Sequence, residues 1–161
     1  YCGSFSKSIA PALRIGYVVA DTPVLRQMLA LKTDAGTGAL EQLVIAEYAA
    51  AHFDSHVARL GAVLAGKGAV MCDAVRQHFG DLAAFTAPRG GIFVWLHLDG
   101  VDTAELVAPA AQAGIEFTPG AGWSADPAWG ASRLRLCFGH PDADTIRAGV
   151  AALAEVVRRH R

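Results

Sequence analysis

From Ala39 to Phe79 the chain is written in helical spacing, and after Gly80 it switches to short strand-like runs. That change of texture constrains the fold more than any other feature. Residues 39 to 53, ALEQLVIAEYAAAHF, are apolar enough to predict a helix buried on more than one face. Asp54 or Ser55 can cap a further long helix that ends at about Phe79, stopped by Gly80. Helices this long and apolar often cross domain or subunit boundaries, so an oligomer is expected. Beyond Gly80, LAAFTAP and GIFVWLHL read as two strands joined by a Pro-Arg-Gly-Gly turn. DTAELVAPAAQAG reads as a helix stopped by Gly114, IEFTPG and SRLRLCFG as strands, and Asp142 to Arg159 as a closing helix. This order predicts a small α/β sandwich over residues 81–161. Residues 120 to 131, a Gly/Ala/Trp stretch, are too long for a plain turn.

The first residues follow another pattern. Residues 1 to 6 and 13 to 20 read as strands, with Pro11 between them and Tyr17 expected in a core. Asp21 or Thr22 caps a helix with Pro23 near its start, and Gly36 and Gly38 break the chain after it. Composition narrows the function classes. The chain is 53% hydrophobic and 18% charged over 161 residues, which excludes disorder and suits a real core. A net charge of −1 gives no general pull towards nucleic acid or an anionic membrane. Cys2, Cys72 and Cys137 are an odd set without CxxC spacing, which points to reduced thiols in a cytoplasmic protein. No run is long enough for a spanning helix.

Lys7 stands where the first strand gives out, between Ser6 and Ser8. A lysine amine becomes a useful nucleophile towards carbonyls when its pKa is lowered. Ser4 and Ser6 share a strand face at period 2, and the turn can bring Ser4 beside Lys7. Arg14 follows beyond a proline-containing loop. Two hydroxyls and a guanidinium around one lysine suit a phosphorylated aldehyde: the serines donate single hydrogen bonds and the arginine offers a fork. A solvated turn is the rival reading of the same residues.

The stretch Gly3-Ser4-Phe5-Ser6-Lys7-Ser8-Ile9-Ala10-Pro11-Ala12-Leu13-Arg14-Ile15-Gly16 resembles the lysine region of fold type I pyridoxal-phosphate enzymes, the class I/II aminotransferases. The likeness is to the 2-aminoadipate-type, broad-range branch. PRGGIFVWLHL (88 to 98), FTPGAGW (117 to 123) and SRLRLCFGHPD (132 to 142) are similar, in order, to later motifs of that family. The resemblance implies an α/β fold, the C-terminal part of a pyridoxal-phosphate-dependent transferase. Residues 1–53 then belong to an incomplete large domain, 54–80 to an interdomain helix, and 81–161 to the small domain. It also implies that Lys7 holds pyridoxal 5'-phosphate as a Schiff base and then moves the substrate proton. Ser4 and Arg14 hold the phosphate, Ser6 is a weaker candidate, and Arg135 grips the substrate carboxylate. Expected partners are an amino acid, a 2-oxo acid and a second copy of the chain, with no membrane or nucleic acid bound by these residues.

Periodicity alone does not choose between Arg133 and Arg135, which share a strand face; the resemblance favours Arg135. Arg89 is a weaker candidate for a substrate side-chain acid. His52 and His56 have an i,i+4 spacing that can bind metal, but no third ligand is evident. His140, Trp123 and Trp129 are candidates for the pocket edge. In the family, further cofactor contacts precede the lysine, so the chain is expected to be part of a longer enzyme and inactive alone. An alternative is the effector-sensing, aminotransferase-like domain of a GntR/MocR-type regulator; a lyase or decarboxylase would keep the cofactor and change the reaction.

Overall fold

The first strand stops two residues earlier than its alternation predicts. In the computed structural model, which describes all residues Tyr1–Arg161, β1 spans Cys2–Ser4 and pairs antiparallel with β2, Gly16–Val18. Gly3 lies opposite Tyr17, whose ring covers the space a Gly3 side chain would need. Tyr17 is therefore a lid on the ribbon, 41% exposed, and the core position expected for it is corrected. Its ring also meets Phe5, with centroids 5.5 Å apart. Ser6 falls in the turn after β1, because the amide of Ser6 bonds the Ser4 hydroxyl (3.1 Å) and leaves the ladder.

Helix α1, Thr22–Leu31, starts with Asp21 at its N-cap and Pro23 in its first turn. Helix α2, Ala39–Phe79, is a single helix of 41 residues and replaces the two helices expected to meet near residue 54. The reason is local. Ser55 donates its hydroxyl to the carbonyl of His52 (3.0 Å), a bond made inside a continuing helix and not at a cap. No Pro or Gly lies between Ala39 and Leu60 to force a break.

Contacts divide the chain into two units, Tyr1–Leu60 and Gly61–Arg161. In the first, only Ile15 and Ile45 are buried apolar residues. The second has a sheet in the order β3-β5-β4, all antiparallel, from β3 (Phe93–His97), β4 (Thr118–Pro119) and β5 (Arg133–Cys137). Helix α3 (Val107–Gln112) precedes β4, and α4 (Pro127–Ala131) precedes β5. Helix α5 (Ala143–His160) closes the unit, with the Asp142 carboxylate accepting from the Thr145 amide (2.8 Å).

Alternation in β3 and β5 sets two faces. Val94, Leu96, Leu134 and Leu136 enter a core with Val150, Leu153 and Val157 of α5 and Val75 and Phe79 of α2. Each such side chain contributes about 1.5–3 kcal/mol relative to exposure. Residues 93, 95, 97, 133, 135 and 137 take the other face.

Three expected elements are shorter than their patterns predict. The strand before Pro88 is only a bridge from Ala84 to His97, bonded both ways at 2.9 and 2.8 Å. The helix expected from Asp102 begins at Val107, because Pro109 has no amide to give the Glu105 carbonyl. The strand over IEFTPG is reduced to two residues, and Pro119 is tolerated there because β4 is an edge. No helix is long and apolar enough to cross a membrane.

Candidate functional site

Lys7 is exposed in the turn that follows β1. The loop carrying it is closed at its base by the Phe5 amide on the Ile15 carbonyl (3.1 Å), beside the Ser4–Gly16 pair. Ser4 and Arg14 thus stand at the two ends of one closed loop, with Ser6 and Lys7 in its first turn. Ile9 and Ala10 both donate their amides to the Phe5 carbonyl, at 2.8 and 3.1 Å, which winds that turn tightly. The Ser4 hydroxyl accepts from the Ser6 amide and lies 3.5 Å from the Ile15 carbonyl, at the limit of a bond.

Arg14 is the one residue other than glycine with positive φ, at 52°. A left-handed arginine costs of order 1 kcal/mol, and the geometry turns its guanidinium back over the 3-10 turn Pro11–Leu13. There Nη1 donates to the Pro11 carbonyl (3.1 Å). Of the five N–H donors of an arginine, this bond uses one, and the side chain is exposed.

Arg135 sits in a different setting. It is half-buried in β5, opposite Trp95 on β3 and Thr118 on β4. Its guanidinium carbon lies 4.0 Å from the Phe93 ring centre and 4.1 Å from that of Trp123. Nη2 donates to the Thr118 hydroxyl at 3.4 Å, and Nε is buried with no partner. Aromatic contacts hold the group through its charge and leave its in-plane N–H edge as the place for a ligand. A buried donor without a partner costs about 1–3 kcal/mol.

Arg133 is spent on its neighbours. It lies 3.7 Å over the Trp129 ring and donates Nη1 to the Trp129 carbonyl. Periodicity leaves the two arginines equal; their surroundings do not. Trp123 is the stacking partner of Arg135, and Trp129 that of Arg133.

Other candidates have other neighbours. His56 shares a hydrogen bond with the Tyr48 hydroxyl (2.9 Å), His52 packs on the Tyr48 ring, and no group of three His, Cys, Asp or Glu could hold a metal ion. Arg89 lines a groove of about 460 Å³ with Asp73 and Arg76, which are bonded to each other at 2.8 Å. The carbonyl of His140 accepts from Lys67 (3.1 Å). All three cysteines are free; Cys72 is buried, and desolvation pushes its thiol up.

Phe93 and Thr118 were not singled out by sequence reasoning as neighbours of Arg135. The alternating pattern places Phe93 on the correct face, but the diagonal pairing that brings it to Arg135 depends on register.

Residues 1–153 match the model of the aminotransferase class I and II family, and the chain belongs to that family. It is 30% identical over 161 residues to 2-aminoadipate transaminase of Thermus thermophilus, covering 98% of this chain and 40% of that protein. It is 27% identical over 162 residues to the uncharacterized HTH-type transcriptional regulator YdfD of Bacillus subtilis, covering 98% of this chain and 33% of that protein. Among solved structures, the α-aminoadipate aminotransferase LysN of Thermus thermophilus, complexed with N-(5'-phosphopyridoxyl)-L-leucine, superposes with a TM-score of 0.90. That match has 29% identity and covers 99% of this chain and 41% of LysN. The chain thus spans about two fifths or less of the length of these relatives. Its α/β architecture is that part of the aminotransferase fold, and the family implies pyridoxal phosphate. The donor set at Ser4, Ser6 and Arg14 fits a phosphate, and Lys7 fits an aldehyde.

Proposed function

We propose that this chain is part of a pyridoxal-phosphate-dependent aminotransferase that moves an amino group between an amino acid and a 2-oxo acid. The observation that carries the reading is Arg135: a guanidinium held between Phe93 and Trp123 with a buried, unpartnered Nε. A carboxylate is the planar anion that such an edge accepts, through two parallel N–H bonds.

In this reading Ser4, Ser6 and Arg14 hold the phosphate of the cofactor and Lys7 binds its aldehyde carbon. When bound, the cofactor supplies the electron sink that makes the substrate Cα–H bond acidic. Once the substrate amine has displaced it from the aldehyde carbon, the freed Lys7 Nζ would take the Cα proton and return a proton as the amino group changes hands. Arg135 fixes the carboxylate and so sets the direction of the Cα–H bond. A planar fork does this better than a point charge. A second copy of the chain and a cytoplasmic location belong to the same proposal.

The test is steady-state kinetics on the full-length protein. Arg135→Lys is expected to raise KM for both amino acid and oxo acid by roughly tenfold or more. Arg133→Lys is expected to stay within about threefold. Equal effects of the two substitutions would remove the basis of the reading.

The similarity to YdfD favours one alternative, an aminotransferase-like domain that senses an amino acid without turning it over. Half-reaction assays separate the two. Oxo-acid formation from an amino acid supports the enzyme, and ligand binding without it supports the sensor.

A further inference from the structure

Thr103 is the one buried polar side chain of the protein, with 0% exposure. Its hydroxyl donates to the Arg133 carbonyl (2.7 Å), and the Ala131 carbonyl lies 3.0 Å away. The Thr103 amide also donates to Ala131 (2.9 Å), and the Leu98 amide donates to the Ser132 carbonyl between them (2.8 Å). Three successive carbonyls at the entry of β5, two residues before Arg135, are therefore held from outside the strand.

The Arg133 carbonyl has a second donor, the Gly120 amide, at 2.7 Å. Gly120 begins the turn that carries Trp123, whose own amide donates to the Gly120 carbonyl (3.0 Å). Gly120 and Gly130 pass so closely that a Cβ on either would lie 2.6 Å from the other's carbonyl oxygen. One carbonyl oxygen thus joins three things: the buried hydroxyl, the strand of Arg135 and the turn of Trp123.

We propose that Thr103 is a positioning residue for the carboxylate site. Its hydroxyl, through the Arg133 carbonyl it shares with Gly120, sets the register between the strand bearing Arg135 and the turn that stacks Trp123 on it. The hydroxyl touches neither guanidinium nor ligand; its one contact with an arginine is to the Arg133 backbone carbonyl. Its effect is on where the guanidinium edge points. This rests on the reading of Arg135 as the carboxylate receptor.

Val replaces the hydroxyl at nearly constant volume, and Ser keeps it while losing a methyl group. In the full-length protein, loaded with pyridoxal phosphate and assayed well below each melting midpoint, Thr103→Val is expected to raise KM for the amino acid severalfold. A sub-ångström shift of a binding group costs well under the roughly hundredfold of a 1 Å misplacement. The rate constant kcat and the cofactor affinity stay near the parent values, and Thr103→Ser restores KM. Arg135→Lys is measured beside them. A raised KM in Arg135→Lys with an unchanged KM in Thr103→Val overturns the positioning role and leaves the carboxylate reading standing. An unchanged KM in Arg135→Lys overturns both. If Val fails to fold, Thr103→Ala takes its place beside Thr103→Ser: a raised KM in Ala with a parental KM in Ser upholds the role of the hydroxyl, whereas equal KM values in the two overturn it.

Discussion

Arg14 and Arg135 are both candidate anion receptors, and they are built by opposite means. Arg14 projects from an exposed loop in a unit with only Ile15 and Ile45 as buried apolar residues, and it is aimed by its own backbone angle. Arg135 is aimed by packing, on a strand whose alternate residues Leu134 and Leu136 are locked in a core. The difference teaches where each side chain takes its precision from. A backbone-aimed donor depends on the loop between β1 and β2, while a packed one depends on the whole second unit.

The contrast is broken first by chemistry. Lys7→Ala in the full-length protein is expected to lower transamination by roughly 10²–10⁴-fold, the range of a lost acid–base group, as measured by oxo-acid formation. The Arg135→Lys and Arg133→Lys pair described above comes next in size.

Stability sharpens the comparison further. Leu96→Ala, at 0% exposure, is expected to cost about 2–5 kcal/mol in urea unfolding. Leu43→Ala, at 68% exposure, is expected to change the same midpoint little, by about 0.5 kcal/mol or less. Comparable losses would mean that Leu43 is covered in the protein in solution. Gly149→Ala gives a smaller effect with opposite sign. A Cβ there meets nothing within 4 Å on the long helix α5, so a gain of up to about 1 kcal/mol is expected in the same assay.

The smallest effect is one of pH. The Thr145 amide holds the Asp142 carboxyl below the usual carboxylate range. A depressed folded pKa stabilises above the unfolded value, near pH 4, and that contribution fades as pH falls through the folded value. Thermal unfolding of Asp142→Asn is therefore expected to lose part of the parent's decline below pH 4. A parallel decline in both proteins would remove Asp142 from the account.

How much of this was legible in the sequence depends on the range of the interaction that decides it. The helices around residues 22 to 31 and 143 to 160 were readable because their start signals, Pro23 in the first turn of one and Asp142 at the cap of the other, act within a turn. The faces of β3 and β5 were readable from alternation alone. The join at residues 53 to 55 was misread because Ser55 carries the side chain of a cap and uses it inside the helix. The candidate residues Ser4, Ser6, Lys7, Arg14 and Arg135 were nameable from the motifs that carry them. The choice of Arg135 over Arg133 by environment was not, since it rests on Trp123, Trp129 and Phe93 arriving from other elements. Thr103 was invisible for the same reason: its two carbonyl partners lie about thirty residues downstream.

The most direct measurement is borohydride reduction of the full-length protein, loaded with pyridoxal phosphate and then freed of unbound cofactor, followed by peptide mapping. The account predicts a single pyridoxyl adduct, on Lys7. An unmodified Lys7 in folded, cofactor-saturated protein, or an adduct at another lysine, would contradict it.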